Sequence, residues 1–366
     1  MHIEIKRVDL VKKMELVARV ATKHLTLPVL QCVHIRTEKD KVFFSGTNLE
    51  IGVTAVVPAK IQEEGVVAVP SALFLQTLQL VSEETVVLLT EGDALVVEVR
   101  GSRAKINTFP VDEFPGIPEL GGSSQRIDGA LFALGIRTTA FAVSQSTIKP
   151  ELGSISVQQK KEHTLTFVAT DSFRLVEKTV SQRSFILENP LLIPQKNALE
   201  IARVIEVLES DPECLLGEGQ MAFRFSDGTY ITTRLTEGSF PDYVQIIPKE
   251  FVTHVTLLAS DLARALKMTN VFANKFMQVS FSIEKEQKAL VVSSDSGELG
   301  KTVEHVSASV EGDDLALSFN QRYMSDPLSF IPGESLVLHF AGIGRPMVME
   351  SVSEKSVRYL VMPMNK

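Results

Sequence analysis

The sequence predicts an α+β protein made of three copies of one unit, each unit two helices packed on antiparallel sheet. Three observations carry that expectation. The length is 366 residues, more than one hydrophobic core can use, since single cores stop growing near ~250–300 residues. Three kinds of landmark recur in step along the chain, and self-similarity at a fixed period is the signature of a repeated unit. Strand pairs around hairpin turns separate the helical stretches.

The first landmark is an Asp that opens an amphipathic segment: Asp9 before Leu10-Val11, Asp128 before Gly129-Ala130, and Asp261 before Leu262-Ala263. Each is expected to cap a helix, its carboxylate accepting orphan amide hydrogens of the first turn. The second is a polar turn after a short strand: Thr47-Asn48-Leu49-Glu50, Thr170-Asp171-Ser172-Phe173 and Ser294-Asp295-Ser296-Gly297. Asn48, Asp171 and Asp295 stand 123 and 124 residues apart. The third is a second helix start, at Val69-Pro70-Ser71, Ile193-Pro194-Gln195 and Phe319-Asn320-Gln321. Helices are therefore expected over 9–23, 70–81, 128–143, 195–210, 261–275 and 320–331. The joins also match, Glu113-Phe114-Pro115-Gly116 against Ser239-Phe240-Pro241-Asp242.

Between the helices the pattern alternates as strands do. Val86–Leu89 and Leu95–Val99 flank the turn Glu91-Gly92-Asp93, Met221–Phe225 and Tyr230–Thr233 flank Asp227-Gly228, and Leu336–Leu338 matches Met347–Met349. Each unit is expected to hold six to eight short antiparallel strands.

Charge and composition narrow the function classes. With 37 Lys and Arg against 45 Asp and Glu, the net charge is −8, which argues against a generally basic nucleic-acid binder. The six helical windows nevertheless hold eleven basic against eight acidic residues. That permits one basic helical face on an acidic protein, and an ordinary solvated helix face explains it equally well. Cys32 and Cys214 are too few for a disulfide framework and are expected to be reduced core residues of a cytoplasmic protein. Met1–Lys6 alternates like a strand and has no apolar signal core, and no run approaches the ~20 apolar residues of a membrane span.

Catalytic signatures are thin. Gly312-Asp313-Asp314 would suit a pair of magnesium ligands or an acidic turn, and no second Asp cluster accompanies it. The seven histidines form no H-x-H or H-E-x-x-H pair, so no metal site is expected. Gly342-Ile343-Gly344 lacks the third glycine of a dinucleotide loop, and neither G-x-S-x-G nor G-x-x-x-x-G-K occurs. No catalytic residue and no cofactor are expected.

Four local motifs, in order along the whole chain, carry a resemblance. They are Leu25-Thr26-Leu27-Pro28-Val29-Leu30, Ala169-Thr170-Asp171-Ser172-Phe173-Arg174-Leu175, Phe240-Pro241-Asp242-Tyr243 and Tyr359-Leu360-Val361-Met362-Pro363-Met364. They are similar to the T-L-P-I-L, A-T-D-G-H-R-L, F-P-D-Y and Y-x-V-M-P-M segments of the bacterial sliding clamp family, the beta subunit of DNA polymerase III. The resemblance implies three DNA-clamp domains, 1–121, 122–246 and 247–366, with two chains closing head to tail as a homodimer ring. Twelve helices side by side at ~9 Å would enclose a hole of roughly 24 Å, enough for a duplex about 20 Å wide.

What the resemblance implies for function is a non-catalytic processivity subunit that encircles duplex DNA without reading sequence. It would tether the replicative polymerase, a clamp loader and other replication and repair proteins through short peptides. The family's peptide groove carries over onto Leu152, Thr170, Arg174, Leu175, Pro241, Ile246, Leu360 and Met362 for its deeper part. Phe173, Asn320, Tyr323, Ile343, Pro363 and Met364 would line the shallower part. The DNA-facing set is Lys12, Arg19, Lys23, His24, Arg137, Lys149, Lys196, Arg203, Arg264 and Lys267. The dimer interface is expected to pair strand 103–109, including Ile106, with a partner's Val271, Phe272 and Phe276. Four places depart from the family: Ser172-Phe173 for Gly-His, Leu152-Gly153-Ser154 for Leu-Asn-Gly, His24 where a basic residue is frequent, and Lys149 for Arg. Two other readings of the residues remain open at this stage, a metal-dependent nucleotidyltransferase built on Asp313 and a three-unit scaffold that ignores DNA.

Overall fold

A computed structural model describes residues 1–364. It contains six α-helices: α1 (Arg7–Val20), α2 (Ser71–Leu80), α3 (Gly129–Thr139), α4 (Gln195–Leu208), α5 (Ala259–Val271) and α6 (Gln321–Ser325). All six overlap the expected windows, but α1 and α5 start two residues early and two of the three expected Asp caps are not caps. α1 starts straight off strand His2–Lys6, and its first amide, Arg7 N–H, donates to Glu84 O at 2.8 Å. α5 likewise begins at Ala259, whose N–H donates to Glu334 O at 2.9 Å. A neighbouring strand end satisfies the orphan donor, so Asp9 and Asp261 sit inside the first turn, where their charge still meets the positive end of the helix dipole. Asp128 does cap α3, accepting from Leu131 N–H at 2.9 Å. Asn320 caps α6, which ends after five residues in a tighter turn, Asp326–Ser329, containing Pro327; proline cannot continue the hydrogen-bond ladder.

The strands form three antiparallel sheets. A five-stranded sheet runs in the order Lys60–Glu63, His2–Lys6, Thr85–Glu91, Ala94–Val99, Ser102–Asn107. An eight-stranded sheet joins Ser124–Arg126, Glu213–Gly217, Gln220–Arg224 and Tyr230–Arg234 to Ile51–Pro58, Lys41–Thr47, Cys32–Glu38 and Val66–Pro70. A twelve-stranded sheet runs from Leu191–Pro194 through Ser154–Gln158, Thr164–Thr170 and Arg174–Ser181. It continues through Val357–Val361, Met347–Ser351, Ser335–Phe340, Thr253–Leu258, Lys301–Gly312, Ala289–Asp295 and Gln278–Glu284 to Leu315–Asn320. The expected hairpins are all present.

The chain divides into two compact units. One comprises Met1–Ala133, Ser184–Ile186 and Lys196–Leu235; the other comprises Leu134–Arg183, Leu187–Gln195 and the chain from Thr236 onward. In the first unit, α1 turns Leu10, Met14, Val17 and Val20 inward and leaves Lys12 and Arg19 in solvent. Lys13, on the inner face, is buried because its ammonium pairs with Asp227 and donates to Thr229 Oγ1 at 2.7 Å, the condition for burying a charge at tolerable cost. In the second unit, Gly135 lets α3 lie directly on Phe167, since a Cβ there would fall 2.4 Å from the ring.

The repeat is visible in one turn down to single hydrogen bonds. Thr47 Oγ1 donates to Ile51 O at 2.9 Å, Asn48 Oδ1 accepts from the amides of Glu50 and Ile51, and Leu49 has φ +76°. Thr170 Oγ1 donates to Arg174 O at 2.7 Å, Asp171 Oδ1 accepts from the amides of Phe173 and Arg174, and Ser172 has φ +78°. The left-handed residue is the site where the family motif carries glycine, the residue that reaches positive φ at no steric cost.

The segment Phe240–Phe251 crosses the second unit's sheet and packs Phe240, Ile247 and Phe251 on Val168, Leu175, Tyr243, Val348 and Leu360. Its polar anchor is Tyr243, whose hydroxyl donates to Glu177 and accepts from Lys160, while Arg358 adds a charge at 3.9 Å from the same carboxylate. Burial acts to raise the Glu177 pKa, but hydrogen bonds from Lys160 and Tyr243 and the nearby cations outweigh it and hold the carboxyl below its usual range. A depressed native pKa stabilises the fold above the unfolded value of about 4.3 and loses that stabilisation as pH falls through the native value. Glu177→Gln is therefore expected to lower stability by about 1–3 kcal/mol at neutral pH, with the gap from wild type closing in urea unfolding below about pH 4. A gap of the same size at about pH 3 would contradict this linkage.

Candidate binding surfaces

Arg174 is the most heavily engaged of the expected groove residues. Its Nε donates to Asp171 at 3.0 Å, Nη1 to Asp326 at 2.6 Å and Nη2 to the Phe141 carbonyl at 2.7 Å. The guanidinium lies 4.4 Å from the Tyr323 ring centroid and 5.4 Å from that of Phe141. Every nitrogen is spent and the side chain is only 10% exposed, so Arg174 positions the surrounding elements instead of presenting a free charge. Asp171 was marked from sequence as a turn landmark and not as a partner of Arg174, and Asp326 and Phe141 were not marked as groove residues. The Asp171 pairing could have been read, because the repeated Thr-Asn/Asp turn puts a carboxylate beside Arg174.

The groove residues divide by depth. Leu175 pairs with Leu360 across strands, Met362 N–H donates to Phe173 O at 2.8 Å, and Met364 N–H donates to Ser318 O at 2.7 Å. These bonds tie the carboxyl-terminal strand to the Phe173 turn and to the strand leading into Asn320. Leu152, Thr170, Leu175 and Leu360, all expected in the deeper part of the groove, are buried, and Leu175 and Leu360 lie under the linker. The exposed apolar groups are Phe173, Ile246 and Ile343, at 61%, 50% and 78%. Pro241 is exposed and Tyr323, Met362, Pro363 and Met364 are half-buried. Asn365 and Lys366 lie outside the described residues.

Among the basic candidates, the first unit exposes Lys12, Arg19, Lys23, His24 and Lys196 and half-buries Arg203; the second exposes Lys149, Arg264 and Lys267 and half-buries Arg137. Arg19 and His24 also make contacts within the chain. Arg19 makes a two-pronged ion pair with Glu200 of α4 through Nε and Nη2, both at 2.9 Å. His24 Nδ1 accepts from Leu27 N–H at 3.2 Å and shapes its own loop.

The expected dimer residues also change. Strand Ser102–Asn107 is a sheet edge, but Ile106 points into its own unit and is 3% exposed, and Phe109 N–H turns back to Ala68 O at 2.8 Å. Side chains alternate across a strand, and Ile106 falls on the core side. The exposed apolar groups of the first unit near this edge belong to α2, at Leu73 and Leu80, which had no charge or motif to mark them. Val271 and Phe276 are exposed in the second unit, with Phe272 half-buried beside Gly300.

The remaining motifs are structural. Gly312 turns at φ +113° with a backbone carbonyl where a Cβ would stand. Asp313 is held through its backbone, its N–H donating to Thr253 Oγ1, whereas the Asp314 carboxylate accepts from Lys285 N–H, so the two residues serve separate parts of the fold. Among the described residues no group of three His, Cys, Asp or Glu is placed to hold a metal ion. No helix among them is long and apolar enough to cross a membrane.

Three family descriptions match in succession: DNA polymerase III beta subunit N-terminal domain over residues 1–118, central domain over 126–242 and C-terminal domain over 244–365. The chain belongs to the DNA polymerase III beta subunit family. A beta sliding clamp of Streptomyces coelicolor is 26% identical, and one of Bacillus subtilis 24%, each alignment covering 99% of both chains. The solved Thermotoga maritima beta subunit superposes with a TM-score of 0.93 at 25% identity, covering 100% of this chain and 99% of the other. A Pseudomonas aeruginosa sliding clamp bound to griselimycin matches with a TM-score of 0.93 at 25% identity, covering all of both chains.

Within this family member, Ser172-Phe173 keeps the turn geometry of Gly-His while exchanging an imidazole for an exposed phenyl ring. The Arg174 cluster generates a direct expectation. Arg174→Ala leaves two carboxylates and a carbonyl without their donor, so stability measured by urea unfolding should fall by about 3 kcal/mol. A loss below about 1 kcal/mol would mean that the guanidinium is solvated and not locked.

Proposed function

We propose that two copies of this chain close head to tail around duplex DNA, so that the family's role in replication is performed by topology and not by tight binding. As a member of the family the chain is a DNA sliding clamp, a processivity subunit with no chemistry of its own. The reading divides it into domains 1–121, 122–246 and 247–366, which the three matched ranges support.

One observation carries the ring. Within the first unit, Tyr230–Thr233 pairs antiparallel with Ile51–Thr54; within the second, Val357–Val361 pairs with Arg174–Lys178. Both are the same junction, the last strand of one repeat added to the strand after the Thr-Asn/Asp turn of the repeat before. By the same correspondence, Ser102–Asn107 and Lys301–Ser307 are the last donor and last acceptor. Lys301–Ser307 pairs with Ala289–Asp295 on one side, and only from Ala308 onward does the strand meet Thr253–Leu257. Exposed edges template association, and a head-to-tail contact that closes gives a ring. Leu73 and Leu80 flank the donor edge, while Val271, Phe276, Leu299 and Val303 are exposed on the acceptor side.

In this reading Lys12, Arg19, Lys23, His24, Arg137, Lys149, Lys196, Arg203, Arg264 and Lys267 face the duplex, with part of the Arg19 charge taken up by Glu200. Such contacts are weak and salt-sensitive, which suits sliding. Partner peptides dock on Phe173, Ile246, Ile343, Tyr323, Asn320, Pro241 and Met362–Met364, above the floor of Leu152, Thr170, Leu175 and Leu360, with Arg174 fixing the walls. The setting is the cytoplasm, where the polymerase and clamp loader work on the chromosome.

Sedimentation at micromolar concentration should give a dimer for the wild type and a monomer for Leu80→Glu combined with Val271→Glu; a monomeric wild type would end the ring proposal. For the groove, a fluorescent peptide carrying leucine and phenylalanine anchors should bind Phe173→Glu at least about tenfold more weakly, the equivalent of ~1.4 kcal/mol. Equal binding would move the docking site elsewhere.

A further inference from the structure

The cross-strand row that starts at Leu175 and Leu360 continues through Val348 and His339 to His254. Its far end opens into a cavity of about 440 Å³ between linker residues Ile247, Pro248, Lys249 and Phe251 and the strands carrying His254, His339, Val348, Glu350 and Arg358. The two imidazoles meet there, Nδ1 to Nδ1 at 2.6 Å, with rings 84° apart and centroids separated by 4.9 Å.

That contact dictates the chemistry of the pair. One Nδ1 must donate and the other accept, so the neutral pair turns one Nε2–H and one Nε2 lone pair away from the contact. Adding a single proton keeps the Nδ1–H···Nδ1 bond and converts the lone pair into a second Nε2–H. The pair can thus become a two-donor cation without rearranging.

The surrounding charges leave room for an anion. Glu350, the carboxylate of the cavity wall, is already taken by Arg358 Nε at 2.7 Å and Lys355 Nζ at 3.4 Å. Lys249, from the linker, has no hydrogen-bond or ion-pair partner among the described residues. Burial, and then neighbouring His254, push the His339 pKa down, with Glu350 opposing and Lys355 and Arg358 reinforcing the effect. Phe251, whose ring lies 5.1 Å from His339, joins Ile247 and Val348 in an apolar wall.

We propose that this cavity binds a carboxylate attached to a ring-sized apolar body, the charge held by Lys249 and the histidine pair and the body packed on Phe251 and Val348. The carboxylate comes either from a free small acid or from an acidic side chain beside an aromatic one. The cavity's lining residues are not the ones proposed for the peptide groove, and all of them lie within the second unit.

The full-length protein is titrated by NMR, observing the histidine ring resonances, with phenylacetate, phenylacetamide and the blocked dipeptide N-acetyl-Glu-Phe-amide. Phenylacetate should bind at about pH 6 at least about fivefold more tightly than at pH 8, because the proton that the pair accepts completes the anion site. It should bind at least about fivefold more tightly than phenylacetamide, and about fivefold more weakly to Lys249→Gln, an exposed substitution that leaves the fold intact. His339→Gln should abolish the pH dependence; if that variant fails to fold, the amide comparison and Lys249→Gln decide. Tighter binding of the dipeptide assigns the site to a protein side chain, and tighter binding of phenylacetate to a free acid. Equal binding of acid and amide, indifference to Lys249→Gln, or no shift by about 20 mM at pH 6 overturns the proposal.

Discussion

A β-strand at a sheet edge carries a row of unpaired N–H and C=O groups, and the way this chain resolves that constraint organises the rest of its structure. Each repeat ends in a strand that needs a neighbour and contains, after the Thr-Asn/Asp turn, a strand that can supply one. Two such pairs form within the chain, Tyr230–Thr233 with Ile51–Thr54 and Val357–Val361 with Arg174–Lys178. Three repeats in a linear order have only two internal joins, so one donor strand and one acceptor strand remain for a second molecule. The linker that follows each repeat is pinned beside its junction: Ile117 and Leu120 on Leu215, Ala222 and Tyr230 in the first unit, and Phe240 and Ile247 on Leu175 and Leu360 in the second.

Because the junctions are alike, the differences between them carry function. Ile51 and Gly52 of the first junction correspond to Arg174 and Leu175 of the second. Gly52 is filled by Ile117, whose side chain comes within 2.9 Å of where a Cβ would be. Arg174 instead gathers Asp171, Asp326 and the Phe141 carbonyl, fixing the turn that lifts Phe173 into solvent. A polar network with every member satisfied specifies one arrangement of its elements. The same economy runs through the charges: Lys13, Arg19 and Arg174 are spent on internal partners, and Lys12, Lys196 and Lys267 stay in solvent on their helices.

Much of this was legible in the sequence for physical reasons. Landmarks that turn on local chemistry came through, including the turn residues at Asn48 and Asp171, the caps at Asp128 and Asn320, and the hairpins around Gly92 and Gly228. What did not come through depends on atoms distant in sequence. Asp9 and Asp261 were expected as caps, but the backbone carbonyls of Glu84 and Glu334 satisfy those helix starts. Ile106 was read as part of an edge strand, and its side chain turns out to be buried in its own unit, since alternation does not reveal which face meets the core. The burial of Leu175 and Leu360 under the linker, the saturation of Arg174 by Asp326 and the exposure of Leu80 on an uncharged helix follow from packing that no local pattern encodes.

The central claim is that the protein holds DNA by enclosing it. It is tested by loading the protein with its clamp loader onto a circular plasmid, isolating the complex by gel filtration, and cutting the circle at a single site. Enclosure predicts retention on the intact circle through high salt, where phosphate contacts are screened, and rapid loss once the ends are free. Dissociation from the intact circle as fast as from the cut DNA, or persistence on the cut DNA, would contradict it.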